Sequence, residues 1–175
     1  LTTRAEGEAL FGAAPTPLAT GALSLNDLEQ ALIAGKILCY TQGFALFSAA
    51  NPVFGWSLPL PEVARVWREG CIIRSSMLND MASALSDAPD RNLMFAPFFT
   101  GLLKSSHSAL RHSVSTGMRH GLPMPALAAA LSYFDIMRTA RSTANMIQAQ
   151  RDFFGAHSFE RFDASGAHHG PWGGH

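Results

Sequence analysis

Apolar residues along most of this chain recur at three- and four-residue spacing, the period of helices that pack on one side. The longest such run follows Ser24 and reaches about Ala50. It carries two adjoining stripes, Leu28, Leu32, Cys39 and Leu46 beside Ile33, Ile37, Tyr40, Phe44 and Phe47. A face that wide calls for burial against more than one neighbour. Ser24, with Asp27 three residues on, resembles a capping box in which aspartate replaces the usual glutamate. Asn51-Pro52 predicts the end of the helix, because the residue before a proline is driven out of helical geometry.

The pattern continues in shorter pieces. Pro59 to Arg68 predicts a helix around Val63, Val66 and Trp67, closed near Gly70. Residues 73 to 86 predict another, with Met77, Met81, Ala84 and Leu85 inward. Pro97 suits the first turn of a helix carrying Phe98, Leu102, Leu103, Leu110, Val114 and Met118, ending at Gly121. Pro125 opens a helix through Leu127, Leu131, Phe134 and Met137. The last runs from about Thr143 to Phe154, with Gly155 as its C-cap. No segment alternates with a period of two between turn signals, so no strand is predicted. The expected fold is all-α, one large domain of about six or seven helices over residues 24–162. A loose leading segment, 1–23, precedes it, and a Gly/His-rich tail, 163–175, follows that cannot fold alone.

Composition sharpens this picture. At 175 residues the chain is one domain or a large piece of a longer protein. With 47% apolar and 15% charged residues, part of its surface is expected to lie under a partner. Basic and acidic residues balance, 13 against 13, so there is no electrostatic footprint for nucleic acid or an anionic membrane. Any bound anion must be met by a few converging cations. Cys39 and Cys71 have no metal-ligand spacing and lie in apolar segments, which reads as buried thiols in a reducing cytosol. No apolar run approaching the ~20 residues of a membrane span is read, and no signal peptide. The expected location is cytoplasmic.

The chemistry is sparse. No G-x-G-x-x-G turn is present for a dinucleotide, no G-x-x-x-x-G-K-[ST] for a nucleotide phosphate, and no G-x-S-x-G elbow. Neither H-E-x-x-H nor a zinc-type Cys/His cluster occurs, so no metal is expected. No catalytic residue can be assigned. What stands out is Ala144 to His157, where a helix ends in Arg151, Asp152, Phe153, Phe154, Gly155, Ala156 and His157. An arginine and an imidazole held close together suit a phosphorylated or carboxylated small molecule. On the residues alone, Arg151 gains from the helix macrodipole whatever it binds, and a lone histidine is more often structural. The two converge only if the chain turns at Gly155. Arg74, before Ser75-Ser76, reads by the same reasoning as a surface arginine at a helix start.

Several blocks resemble, in order, the all-helical C-terminal domain of 6-phosphogluconate dehydrogenases, the decarboxylating enzymes of the pentose phosphate pathway. Lys36-Ile37-Leu38-Cys39-Tyr40-Thr41-Gln42-Gly43-Phe44 resembles the family's K-I-x-x-Y-x-Q-G-F helix, and Gly70-Cys71-Ile72-Ile73-Arg74 its G-C-I-I-R stretch. Gly121-Leu122-Pro123-Met124-Pro125, Ala130 to Asp135 and Arg151 to His157 supply further landmarks. The similarity runs from about Leu25 to Phe162.

The resemblance implies oxidative decarboxylation of 6-phosphogluconate to ribulose 5-phosphate and carbon dioxide with NADP. The nucleotide-binding domain and the lysine and glutamate that serve as base and acid lie on a segment outside this chain. It also implies that Arg74 and Arg151 meet the substrate phosphate and that His157 helps hold the substrate. In the family Arg151 and His157 reach in from the neighbouring subunit of a homodimer, through which the tail threads, giving His168 and Trp172 a packing role. Phe153-Phe154 departs from the commoner Tyr-Phe pair by one hydroxyl. Leu10-Phe11-Gly12 lacks the family's lysine, so no contact is carried over there. The alternative, of another class, is a non-catalytic helical module for dimerisation or scaffolding.

Overall fold

The computed structural model describes residues 2–13 and 15–172, which fall into two compact units, Leu1–Tyr133 and Phe134–His175. The first holds α1 (Thr2–Phe11), α2 (Leu25–Phe54), α3 (Leu60–Gly70), α4 (Met77–Asp87), a 3-10 turn at Leu93–Phe95, and α5 (Pro97–Arg119). Helix α6 (Pro125–Met137) begins in the first unit and ends in the second. The second adds α7 (Ala144–Gly155) and two short strands, β1 (Phe159–Glu160) and β2 (Ala167–His168). The architecture is all-α, with seven α-helices among the described residues, as the hydrophobic period predicts.

Helix α2 begins as the sequence implies. Ser24 Oγ accepts from the Asp27 N–H at 3.0 Å, and Asp27 Oδ2 accepts from the Ser24 N–H at 2.9 Å. The Ser24 hydroxyl also donates to Asp27, and these bonds hold the Asp27 carboxyl below its usual range. The far end differs from expectation, because the helix runs through Pro52 to Phe54. The bond that Pro52 forfeits belongs to the exposed Ser48, where water can replace the missing donor. Gly55 then closes the helix in the left-handed region, at φ 64°, donating its N–H to the Asn51 carbonyl. Asn51, expected to break the helix, caps it: its carbonyl also accepts from Trp56 N at 2.9 Å, and its side chain from Leu58 N at 3.3 Å.

Packing of α2 on α5 makes the core of the first unit. Helix α5 turns in Phe99, Leu103, Ser106, Leu110, Ser113 and Gly117, alternating steps of four and three. This face is rotated from the predicted one, and Phe98 and Met118 point outward. Small residues such as Ser106 and Ser113 line the buried face of α5, and on α2 a Cβ on Gly35 would collide with the Leu127 side chain of α6. Burying side chains such as Phe44, Phe99 and Leu110 stabilises the unit by about 1.5–3 kcal/mol each. Trp67 of α3 lies against Tyr40, Phe44 and Phe47, with ring centroids 6.5, 5.4 and 5.9 Å away. In α4 Met81 and Leu85 are buried as predicted, joined by Leu78 and Ala82, while Met77 and Ala84 are half-buried.

Of the two stripes on α2, only one is buried. Ile37, Tyr40 and Phe44 are in the core, whereas Leu32 and Leu46 are 62% and 67% exposed. Leu25 and Val53 extend the exposed row at the same seven-residue interval, with Cys39 between. Cys39 is therefore not a buried thiol; Cys71 is half-buried, and both are free. Partial burial pushes the Cys39 thiol up. Helix α2 is also long and apolar enough to cross a membrane by length and composition, contrary to the reading of no such run. Its packed face on α5 is what a core helix of this composition shows.

Two further elements depart from expectation. Thr2 to Phe11, read as loose, is helical without burying a residue, because Ala5, Glu6, Glu8, Ala9 and Leu10 favour helix and the first proline comes only at 15. Strands β1 and β2 pair antiparallel, Phe159 with His168 and Glu160 with Ala167. Two residues are too few for alternation to show in a sequence. Of the histidine-containing tail, Gly173 to His175 lie outside the described residues.

Candidate functional site

The candidate site of the second unit is built at the C-terminal end of α7. Gly155 is the last helical residue, and the left-handed cap falls on Ala156, at φ 49°, not on the glycine as predicted. Ser158 is also left-handed, at φ 61°. Left-handed geometry costs a residue with a Cβ about 1–2 kcal/mol, and here it flanks His157 on both sides. Gly155 serves another purpose. A Cβ there would lie 2.6 Å from His157 Nε2 and 2.7 Å from its Cδ2. The missing side chain makes room for the imidazole to fold back over the helix end, where it meets the Phe154 ring edge-on at 6.4 Å.

The turn is held by Asp152, the one residue of α7 that is buried, at 2% exposure. Its backbone carbonyl accepts from Ala156 N at 2.9 Å. Oδ1 accepts from Ser158 N at 2.8 Å and faces His169 Nδ1 at 2.6 Å. Oδ2 accepts from Gly170 N at 2.8 Å and from the Trp172 indole N–H at 2.6 Å. Burial alone raises the carboxyl's pKa. The hydrogen bonds from Gly170, Trp172, His169 and Ser158 outweigh it and hold the group well below the usual carboxylate range. Trp172 also packs edge-on against Phe153 at 5.9 Å. The tail segment 167–172, expected to lack structure of its own, is thus anchored within its own unit.

Arg151 and His157 open onto one recess of about 1110 Å³, which Arg141 and Arg161 also line. Arg151 is exposed and makes a 3.3 Å hydrogen bond to Gln148 Oε1. Arg161 is engaged by Asp163 through two bonds of 2.8 and 2.5 Å, which hold the Asp163 carboxyl down to about 2. Arg141 lies over the Phe162 ring at 5.8 Å. The recess thus presents several cations, and Arg151 offers a guanidinium edge suited to two oxygens of a phosphate or carboxylate. Among the described residues no three His, Cys, Asp or Glu side chains gather as a metal site.

Arg74 belongs to the first unit. It lies in the turn before α4, its N–H on the Cys71 carbonyl at 3.2 Å, because the helix expected from residue 73 begins at Met77. It lines a separate recess of about 400 Å³ with Lys36, Tyr40 and Trp67. The Tyr40 hydroxyl donates to the Ile73 carbonyl and fixes this turn against α2. Of the three anchors read from the sequence, Arg151 and His157 share a recess within one unit, and Arg74 occupies another in the other unit.

Asp152 was not picked out from the sequence, although a signal existed. A carboxylate in the last turn of a helix opposes the macrodipole, so its presence there asks for donors from elsewhere. Those donors come from residues 158 to 172, and no spacing rule connects them.

Comparison with known proteins agrees with the helical architecture. A family model described as 6-phosphogluconate dehydrogenase, C-terminal domain, matches residues 3–172. The NAD(+)-dependent, decarboxylating 6-phosphogluconate dehydrogenase of Bacillus subtilis is 46% identical over 149 residues, covering 85% of this chain and 32% of that protein. The decarboxylating enzyme of Escherichia coli is 38% identical over 169 residues, covering 96% and 36%. The Plasmodium falciparum 6-phosphogluconate dehydrogenase, solved in its apo form and in complexes with NADP+ and with 6-phosphogluconate, superposes with a TM-score of 0.83. It is 34% identical, over 98% of this chain and 38% of that one. The chain spans about a third of the length of the curated relatives it matches. With its helices, its blocks in order and nearly its whole length matched, the chain belongs to the 6-phosphogluconate dehydrogenase C-terminal domain family.

Proposed function

We propose that this chain is the substrate-anchoring and dimerising portion of an NADP-dependent, decarboxylating 6-phosphogluconate dehydrogenase of the cytoplasmic pentose phosphate pathway. The observation that carries the reading is the recess at the end of α7, where Arg151 and His157 stand together in a chain of this family. Arg151 binds the phosphate end of the substrate, His157 its hydroxyls, and Arg74 adds a second cation for a group near two negative charges. Arg151 and His157 serve the neighbouring subunit's site in a homodimer. The exposed row of Leu25, Leu32 and Leu46 on α2 fits a surface that a partner covers.

The residues present do not fit a dinucleotide. Among the described residues the strands are β1 and β2, a short antiparallel pair, and no strand, glycine-rich turn and helix follow one another to cradle a pyrophosphate. The nicotinamide cofactor and the acid and base of the reaction belong to the remainder of the longer protein, so the isolated chain binds and positions but does not turn over. NADP is the cofactor proposed, beside relatives whose names include both NAD(+) and NADP+.

The test uses the full-length protein. Arg151→Ala, His157→Ala and Arg74→Ala are each expected to raise KM for 6-phosphogluconate by about tenfold or more while KM for the dinucleotide stays unchanged. Three variants with wild-type substrate KM overturn the reading.

A further inference from the structure

We propose that Asp152 is a positioning residue, tying the C-terminal tail to the pose in which His157 meets the substrate. The proposal rests on the anchoring role given to His157 above. His157 stands between two left-handed residues, Ala156 and Ser158, neither of them glycine, so the turn does not hold itself. Asp152 supplies the restraint at both ends of it. Its carbonyl takes the Ala156 N–H, and its Oδ1 takes the Ser158 N–H. The other oxygen is occupied by the tail, through Gly170 N and the Trp172 indole.

The arrangement is specific. The Asp152 side chain is wholly shielded from solvent, and each oxygen receives two partners at 2.6–2.8 Å. Gly170 has no Cβ because one would run into the Trp172 ring, so the tail folds back on itself to deliver both donors. Arg151, one residue away, projects to the exposed side. A single turn of α7 thus presents one anchor directly and fixes the next through its neighbour. If the tail lets go, Asp152 is left as an underpaired carboxylate, and the turn that carries His157 loses its fixed partner. Tail docking and substrate anchoring then rise and fall together.

The experiment compares Asp152→Asn, Trp172→Phe, His157→Ala and the double variant Asp152→Asn with His157→Ala in the full-length protein. Asparagine keeps the shape but turns an NH2 group toward donors, which breaks one side of the cage. Asp152→Asn is expected to raise KM for 6-phosphogluconate by about tenfold or more, as a displaced anchor does. Dinucleotide KM should not change, and Trp172→Phe should show a smaller loss in the same direction. On a His157→Ala background, Asp152→Asn should add less than about a further twofold, because both act through one side chain. Trp172→Phe keeps the proposal testable should Asp152→Asn fail to fold, which far-UV circular dichroism reports.

Wild-type substrate KM in both single variants, with His157→Ala impaired, overturns the positioning role and leaves the anchoring role standing. Full additivity in the double variant overturns it as well. Unaltered substrate KM in His157→Ala removes the anchoring role of His157, and the positioning role falls with it.

Discussion

Replacing Gly155 by alanine should weaken substrate binding with no loss of stability, which separates the site from the scaffold. Gly155 is the last residue of α7 and lacks the left-handed geometry that only glycine accepts easily. Alanine is therefore tolerated by the backbone, and helix propensity favours it by up to about 1 kcal/mol, less at a terminus than in an interior. The new Cβ would lie 2.6 Å from His157 Nε2, where ordinary contact begins at 3.4 Å. The ring must retreat by about 0.8 Å, the difference of those two distances. Misplacing an anchoring group by about 1 Å can weaken function by as much as a hundredfold. Titration calorimetry with 6-phosphogluconate on the full-length protein, beside urea unfolding of the same sample, reads both effects. The expected result is equal or slightly raised stability with substrate affinity reduced about tenfold or more. Unchanged affinity in a folded Gly155→Ala protein would refute the reasoning that His157 acts from the pose seen here.

Two further outcomes follow from the same structure. The Ser113 hydroxyl is buried on the α2–α5 seam and finds no hydrogen-bond partner among the described residues. Ser113→Ala should stabilise the chain by about 1–2 kcal/mol, from the relieved hydroxyl and the better helix former, and raise Tm by about 2–4 °C per kcal/mol. A lower Tm in differential scanning calorimetry contradicts this. The Asp152 and Asp163 carboxyls both titrate lower in the folded chain than the ~3.9 of an unfolded one. The stability they contribute is fully present above that value and is lost as pH falls through the folded-state range. Asp163 is exposed and contributes little, so Asp152 dominates. The Trp172 indole N–H resonance should hold its carboxylate-bound position down to about pH 4 and leave it only below that; release of the tail at pH 5 contradicts the assignment.

Much of the helical architecture was legible in the sequence because its causes are local. A period of 3.6, the Ser24–Asp27 pair and the prolines at 97 and 125 act within a few residues of themselves, and each element they imply is present. Local signals misled where two of them competed. Asn51-Pro52 reads as a stop, yet the asparagine caps a helix that runs on past the proline to Gly55. Gly155 reads as the left-handed cap, yet the tertiary setting uses its missing side chain for His157 and places the left-handed turn on Ala156.

By itself the sequence determined six of the seven α-helices, the family and the three residues proposed as anchors, since periodicity, caps and ordered motifs are properties of neighbouring residues. Tertiary structure decided which of the two stripes on α2 enters the core, because burial depends on where α5 passes and not on how apolar a stripe is. It also decided that Arg151 and His157 share a recess. And it made Asp152 the hub of the turn and tail, since a carboxylate becomes a hub only when donors from residues 158 to 172 are folded around it, and that convergence is a property of the folded chain alone.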